Sequence, residues 1–288
     1  MPKSSVIGWW TTGWSFTLFG STGKKEADLP RMVPAVAHPP RRIAILGYPI
    51  IALRLGLMIM LLIICVPLHY LWKLLGLDRM WPRIFLAGVG AIAGLHIRRR
   101  GKRVKGALLL SNHISWLDIP ALAHAANSAF VAHDGLAQFG LLKWLCTMNE
   151  TVFIARDRRA SVTRQAEDIR AALDHGGTLT LFPEGTTSDG TGLLAFKSSL
   201  LGALEPLPAG AVIQPVLLAY EDVPEISWVG DEPGLDNFKR ILARFRPIRL
   251  NIHFLPPLSG EEVANRKAMT AAAREALRRT QSSKQAVL

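Results

Sequence analysis

The sequence predicts an α/β fold, a mixed sheet covered by helices on both faces, preceded by an N-terminal membrane-embedded helical segment. Three observations predict it. From about residue 105 to 285 strand-like and helix-like patterns alternate, as a sheet packed between helices requires. Two apolar stretches without charge precede that region, and basic residues flank both. Hydrophobic residues make up 49% of the 288, and mean hydropathy is positive, more apolar than a soluble domain needs. The chain therefore divides into a tail at 1–40, a membrane-associated helical region at 41–97 and an α/β domain at 98–288.

The tail is rich in Ser, Thr, Gly and Pro and ends in Pro39-Pro40-Arg41-Arg42, a composition that predicts disorder. Trp9, Trp10, Trp14, Phe16 and Phe19 within it suit a lipid interface. No basic-then-apolar start marks a cleaved signal. Leu55 to Leu68 is uncharged for 14 residues, and Ile50 to Leu53 extend it across Arg54. A crossing helix wants about 20 apolar residues, so this one is marginal. Ile84 to Leu95 is shorter still. Positive charge at every flank suits a helix lying in one leaflet, or a half-inserted hairpin, better than a clean crossing. Small residues from Gly88 to Gly94 fit close helix packing; the run has the wrong spacing for a dinucleotide loop.

Arg98 to Lys105 places six cations in eight residues: a solvated loop in the plainest reading, but its position directly after the apolar segments makes anionic lipid headgroups the better partner. Ala107–Leu110 reads as a buried strand running into a helix cap at Ser111-Asn112. Thr151 to Arg156 is strand-like. Residues 161–174 read as an amphipathic helix capped by Ser161, with Val162, Ala166, Ile169 and Leu173 as its stripe. Thr178–Phe182 and Val212–Leu218 read as buried strands. Ile248, Leu250, Ile252 and Phe254 alternate as a half-buried strand does. A last helix is expected to start at the capping box of Ser259 and Glu262 and to run basic to Arg279.

Lys and Arg number 34 against 22 Asp and Glu, a net +12 that implies a polyanionic partner, membrane or nucleic acid. No helix-turn-helix, zinc-finger spacing or aromatic-rich single-strand motif accompanies it, which favours the membrane. Lys239, Arg240, Arg244, Arg246 and Arg249 suit either an acidic carrier protein or the bilayer. Cys65 and Cys146 form neither a metal spacing nor a disulfide framework, so a reducing compartment is expected. His124, His133, Asp134 and His113 match no common metal site.

The chemistry concentrates in Ser111-Asn112-His113-Ile114-Ser115-Trp116-Leu117-Asp118. A His at a strand end with a carboxylate five residues on can form an imidazole–carboxylate pair, leaving one ring nitrogen to accept a hydroxyl proton. Alone, that spacing is common by chance. It is joined by Leu181-Phe182-Pro183-Glu184-Gly185-Thr186-Thr187-Ser188-Asp189-Gly190, an apolar strand stopping at Pro183 before a polar loop at the mouth of a sheet. There Glu184 can accept a hydrogen bond from an alcohol, and Gly185 lets backbone N–H groups approach a ligand. Arg156, ending the strand-like stretch between the two, suits anionic oxygens. Ser188 sits one place late for a nucleophile elbow.

Taken in order, His113-x4-Asp118, Phe153-Ile154-x-Arg156, Phe182-Pro183-Glu184-Gly185-Thr186 and Val212-Ile213-Gln214-Pro215-Val216 resemble the four motifs of the glycerolipid and lysophospholipid acyltransferase family. The resemblance covers roughly 105–220. It implies a glycerol-3-phosphate acyltransferase-like fold, a fatty acyl thioester on CoA or acyl carrier protein as co-substrate, no resident cofactor or metal, and a lysolipid acceptor. It further implies His113 as general base, Asp118 as its orienting partner, and direct attack without an acyl-enzyme. Arg156, Glu184, Gly185, Thr186 and Thr187 would line the acceptor site, with Ser115 or loop N–H groups steadying the oxyanion. A bacterial-type inner membrane, with the catalytic domain on the cytoplasmic side, follows from the same resemblance.

Three positions depart from the family. Thr187 stands where enzymes acting on lysophosphatidic acid commonly carry Arg, which weakens the case for a phosphate dianion. The Thr-Thr-Ser-Asp-Gly loop, with Ser-Trp-Leu-Asp-Ile-Pro in the first motif, is similar to bacterial acyltransferases that complete ornithine lipids. Glu150 replaces the Gly that usually opens the second motif, and His133 stands where Lys is frequent. Two other readings use fewer of these features: a membrane-associated nucleic-acid-binding protein, and an esterase or thioesterase on the same fold.

Overall fold

The computed structural model describes residues 43–76, 80–133, 140–154, 167, 169–173, 177–205, 207, 210–229 and 232–285. The tail at 1–40, Ser161 and the start of the helix it was expected to cap, and Arg156 lie outside them. Residues 169–173 are helical, as the stripe predicted.

Helix α1 spans Gly47–Lys73, 27 residues or about 40 Å at 1.5 Å per residue. It absorbs Arg54, whose guanidinium donates to the Leu242 carbonyl at 2.9 Å, and continues through Pro67. Met80–Ile92 forms α2. The two pack closely where Gly88 meets Leu61: a Cβ at Gly88 would lie 2.4 Å from Leu61 Cδ2. That contact explains the small residues of this stretch.

Seven strands follow: β1 Leu95–Arg100, β2 Leu108–Ser111, β3 Ser128–His133, β4 Val152–Ile154, β5 Thr178–Leu181, β6 Ile213–Tyr220 and β7 Ile248–Phe254. They form one mixed sheet in the order β1-β7-β6-β2-β5-β3-β4. All pairs are parallel except β6 with β7. Asp118–Ala126 is α3, Gly140–Met148 α4, Val223–Ile226 α5, Gly234–Leu242 α6 and Arg266–Gln285 α7.

Alternation along the strands builds two cores. Leu109, Phe130, Val216 and Leu218, with Ile248, Leu250 and Ile252 of β7, face α1, α3 and α6, whose Ile51, Met58, Ala121, Leu122 and Ile241 join the same cluster. Leu108, Leu110, Val131, Leu179 and Ile213 point the other way, onto Ile169, Leu173, Met269 and Ala273. Helices thus cover both faces, as expected.

Several elements depart from their sequence reading. Arg98, Arg99 and Arg100 are not in a loop; they finish β1, at the sheet edge, where Leu95 and Ile97 pack inward and the cations stay exposed. Asn112 is not a helix cap. Its amide donates to the Leu218 carbonyl at 3.0 Å and accepts the Leu218 N–H at 2.8 Å, extending the β2–β6 ladder by a side chain. The capping box of Ser259 and Glu262 is formed, but on a short 3₁₀ turn, Gly260–Val263. Asn265 caps α7, its Oδ1 accepting the N–H groups of Lys267 and Ala268. Glu150 has φ 55°, the left-handed region that Gly enters without steric cost, which is the physical reason for Gly at that motif position.

Strand direction decides where chemistry sits. The carboxyl ends of β2, β5 and β6 share one edge of the sheet, and they lead to His113, to Glu184 and to Tyr220. β1 runs the opposite way, so its cations lie toward the other edge.

Candidate active site

His113 follows β2 directly, and its ring Nδ1 lies 2.8 Å from Asp118 Oδ2. Asp118 opens α3 and is fully buried. Burying an isolated carboxylate costs several kcal/mol unless donors surround it. Here Oδ2 also accepts the N–H groups of Ile114 at 2.6 Å and Ser115 at 3.0 Å, and Oδ1 accepts the Tyr220 hydroxyl at 2.6 Å. An acceptor-only carboxylate places the proton on Nδ1. Among the described residues nothing hydrogen-bonds Nε2, and one fifth of the His113 side chain reaches solvent.

The loop after β5 grips the backbone of His113. Glu184 Oε2 accepts the His113 N–H at 3.1 Å, while Ser188 donates twice to the His113 carbonyl, from N at 2.8 Å and from Oγ at 3.0 Å. Glu184 Oε1 accepts the Leu194 N–H at 3.1 Å. Glu184 is 1% exposed, and burial pushes its carboxyl up to about 7. The two N–H donors and Arg274 pull the other way, and the Asp118 charge adds to the rise. Both oxygens expected to meet an alcohol are therefore engaged by main chain.

The remaining expected residues divide between surface and interior. Gly185, at φ 69°, closes a turn with its N–H on the Phe182 carbonyl at 3.1 Å, and Thr186 beside it is exposed. The Thr187 hydroxyl donates to the Trp228 carbonyl, and the Trp228 N–H donates to the Ile114 carbonyl at 3.0 Å. Ser115 is fully buried, its Oγ accepting the Leu117 N–H at 3.4 Å, so it faces the helix start and not the opening. Gly190, at φ 73°, fits between Val223 and Ile114; a Cβ there would lie 2.4 Å from Val223 Cγ1.

Three contributors escaped sequence reasoning: Tyr220, Trp228 and the stacking role of Phe182. The Phe182 ring lies 4.1 Å from the His113 ring at 18°, and Phe130 stacks beyond it at 6.3 Å. Phe130 also lines an apolar cavity of 160 Å³ between α1, α2 and α4, with Leu62, Val66, Phe85, Leu86 and Leu145. A polar-tipped residue closing a buried strand was the one signal for Tyr220, since a buried phenol needs a partner.

A His–Asp pair with its carboxylate buried, at the carboxyl edge of a mixed α/β sheet that also carries an apolar cavity, fits the class of enzymes that work on a hydroxyl next to an apolar chain. The acyltransferase family matches residues 95–219, which run from the start of β1 to Ala219 in β6. A lyso-ornithine lipid O-acyltransferase of Brucella abortus is 33% identical over 238 residues, 76% of this chain and 89% of that protein. Another from Rhodobacter capsulatus is 32% identical over 258 residues, 83% of this chain and 93% of that protein. A 1-acyl-sn-glycerol-3-phosphate acyltransferase of Neisseria gonorrhoeae is 33% identical over 160 residues, 52% of this chain and 62% of that protein. The crystal structure of the 1-acyl-sn-glycerophosphate (LPA) acyltransferase of Thermotoga maritima shares the fold, with a TM-score of 0.55 at 20% identity, covering 81% of this chain and 96% of that one. The chain belongs to the acyltransferase family, and it is an enzyme of the transferase class.

Proposed function

We propose that this enzyme esterifies the free hydroxyl of lyso-ornithine lipid with a fatty acyl group from a thioester, on acyl carrier protein or CoA. The observation that carries the reaction is the His113–Asp118 pair, held at 2.8 Å with Nε2 left open. In this reading Nε2 accepts the hydroxyl proton as the acceptor oxygen attacks the thioester carbonyl. The tetrahedral intermediate then collapses, the C–S bond breaks, and His113 returns the proton to the departing thiolate. Asp118 keeps the imidazole in the required tautomer and stabilises the imidazolium that forms.

Thr187 supports the ornithine acceptor over a glycerol phosphate. At the place of a phosphate-binding Arg it carries a hydroxyl tied to Trp228, with Asp189 exposed two residues on. Glu184 and Ser188 act by fixing the His113 backbone, Gly185 and Thr186 border the acceptor entrance, and the family resemblance of its motif assigns Arg156 to the same acceptor. The cavity lined by Phe130, which Phe182 separates from the His113 ring, supplies an apolar seat for the acyl chain.

The setting is the cytoplasmic face of an inner membrane, with α1 lying in one leaflet. Exposed Leu53, Ile59, Met60, Ile63, Ile64 and Leu71 give α1 a lipid-facing side. Its other side packs on protein through Gly47, against Ala243, and through Ile51, Met58 and Cys65, while the exposed Tyr70 accepts from Trp144 Nε1 at 3.1 Å.

Purified protein in detergent, offered an acyl thioester with lyso-ornithine lipid or lysophosphatidic acid, tests the reading. Wild type is expected to acylate lyso-ornithine lipid preferentially, and His113→Ala to lose at least ~100-fold in rate. Preference for lysophosphatidic acid would overturn the acceptor, thioester consumption without any ester would favour hydrolysis, and an active His113→Ala would remove the general base.

A further inference from the structure

We propose that Tyr220 is a positioning residue for acyl transfer: its phenol fixes Asp118 in the one orientation in which that carboxylate holds His113. The inference rests on the reading of His113 as general base given above.

The donors to Asp118 fall into two groups. Three of them, His113 Nδ1 and the N–H groups of Ile114 and Ser115, converge on Oδ2 and come from the same turn of chain. The Tyr220 hydroxyl, 102 residues away in sequence, meets Oδ1 at 2.6 Å. Among the described residues it is the one contact that ties this carboxylate to the sheet. Asp118 is 0% exposed and Tyr220 5%, so without the phenol Oδ1 would face a closed interior with no donor.

The strand that carries Tyr220 is registered against the same loop. β2 and β6 pair as far as Ser111 with Val216. Beyond that point side chains continue the ladder: Asn112 bonds both main-chain groups of Leu218, and Asp118 takes the hydroxyl of Tyr220. Val216, Leu218 and Tyr220 pack in one core with Ile114 and Leu117. Rigid elements on both sides therefore determine how the Asp118–His113 pair is aimed.

Burial, and then the neighbouring Asp118 charge, hold the phenol well above its usual range, so it remains a donor across working pH. The groups that face the pair are Asp118 from α3, Glu184 from the loop after β5 and Tyr220 from β6, with Arg274 of α7 acting on Glu184. Removing the phenol takes the one donor from Oδ1 and leaves more of the carboxylate charge for His113, which moves the acid limb of the rate profile to higher pH.

Tyr220→Phe and a 2,3-difluorotyrosine replacement, which keeps the shape and strengthens the donor, test this. Tyr220→Phe is expected to lower kcat about ten-fold, as loss of one charge-assisted hydrogen bond implies. KM for the lysolipid should stay within about two-fold, because the phenol does not touch substrate. The acid limb should rise with Phe and fall with difluorotyrosine. Wild-type kcat and an unmoved limb in Tyr220→Phe would overturn the proposal; if that variant does not fold, an unmoved limb in the difluorotyrosine protein would do so. NMR titration of the His113 ring, assigned against His113→Ala, reads the same linkage without turnover. A titration that moves in a protein with no transfer activity would uphold Tyr220 and sink the reaction assignment instead.

Discussion

At the scale of single residues, the site is organised around one backbone. Glu184 holds the His113 N–H and Ser188 holds its carbonyl, so the polar loop after β5 acts on the imidazole through main chain. The motif Phe182 to Ser188 announced its importance in the sequence, yet its polarity suggested contact with an alcohol. Burial reverses that emphasis, because a 1% exposed carboxylate spends its oxygens on the nearest donors. A pH dependence follows. The Glu184 carboxyl sits at about 7, above its usual 4.5, so the folded protein binds that proton more tightly than the unfolded chain does. Its contribution to stability is most favourable below about pH 4.5 and is lost as pH rises through about 7, roughly 3 kcal/mol across that window. Glu184→Gln is expected to narrow the difference between unfolding free energies measured by denaturant at pH 5 and pH 8. An unchanged difference would place the titration elsewhere.

At the scale of elements, β1 shows how charge misleads a strand reading. Three consecutive Arg look like loop, but an edge strand tolerates cations on its open side and uses them to block pairing with another chain. The same residues are candidates for anionic headgroups. Replacing Arg98, Arg99 and Arg100 by Gln is expected to weaken binding to anionic vesicles about a hundred-fold, from ~1 kcal/mol per cation, with binding to neutral vesicles retained. Equal binding to both vesicle types by both proteins would leave the cations only their edge-guarding role. The basic cluster near α6 is different. Arg240 bonds Glu232 at 2.8 Å, Arg244 bonds Asp222 at 2.7 Å, and Lys239 and Arg249 have Asp236 and Glu221. Arg246 is the member without an ion pair among the described residues, and each of the other four already faces an acidic neighbour.

At the scale of the whole molecule, α1 is long and apolar enough to cross a membrane. Its contacts argue for a different placement. It meets α6 at Gly47 and Arg54, α2 at Leu61, and α4 at Tyr70, over 23 residues or about 35 Å of helix. A helix perpendicular to the bilayer would carry the domain into the hydrocarbon with it, against the cost of burying its charged surface. Single cysteines placed at Tyr48 and at Lys73, in a background lacking Cys65 and Cys146, are expected to react with an impermeant maleimide from the same side of sealed vesicles. Reaction from opposite sides would establish a crossing.

The sequence by itself determined the α/β class, the apolar anchor, the strands that bear the four motifs and the His113–Asp118 pair, because each is encoded in local periodicity or in residues five apart. Tertiary structure alone decided the rest. Tyr220 reaches Asp118 from 102 residues away, Trp228 receives Thr187 from 41 residues away, and Phe130 brings the apolar cavity to the ring beside His113. None of these partners lies within a turn of the other, and strand order, which brings β6 and β5 to either side of β2, is what makes them neighbours.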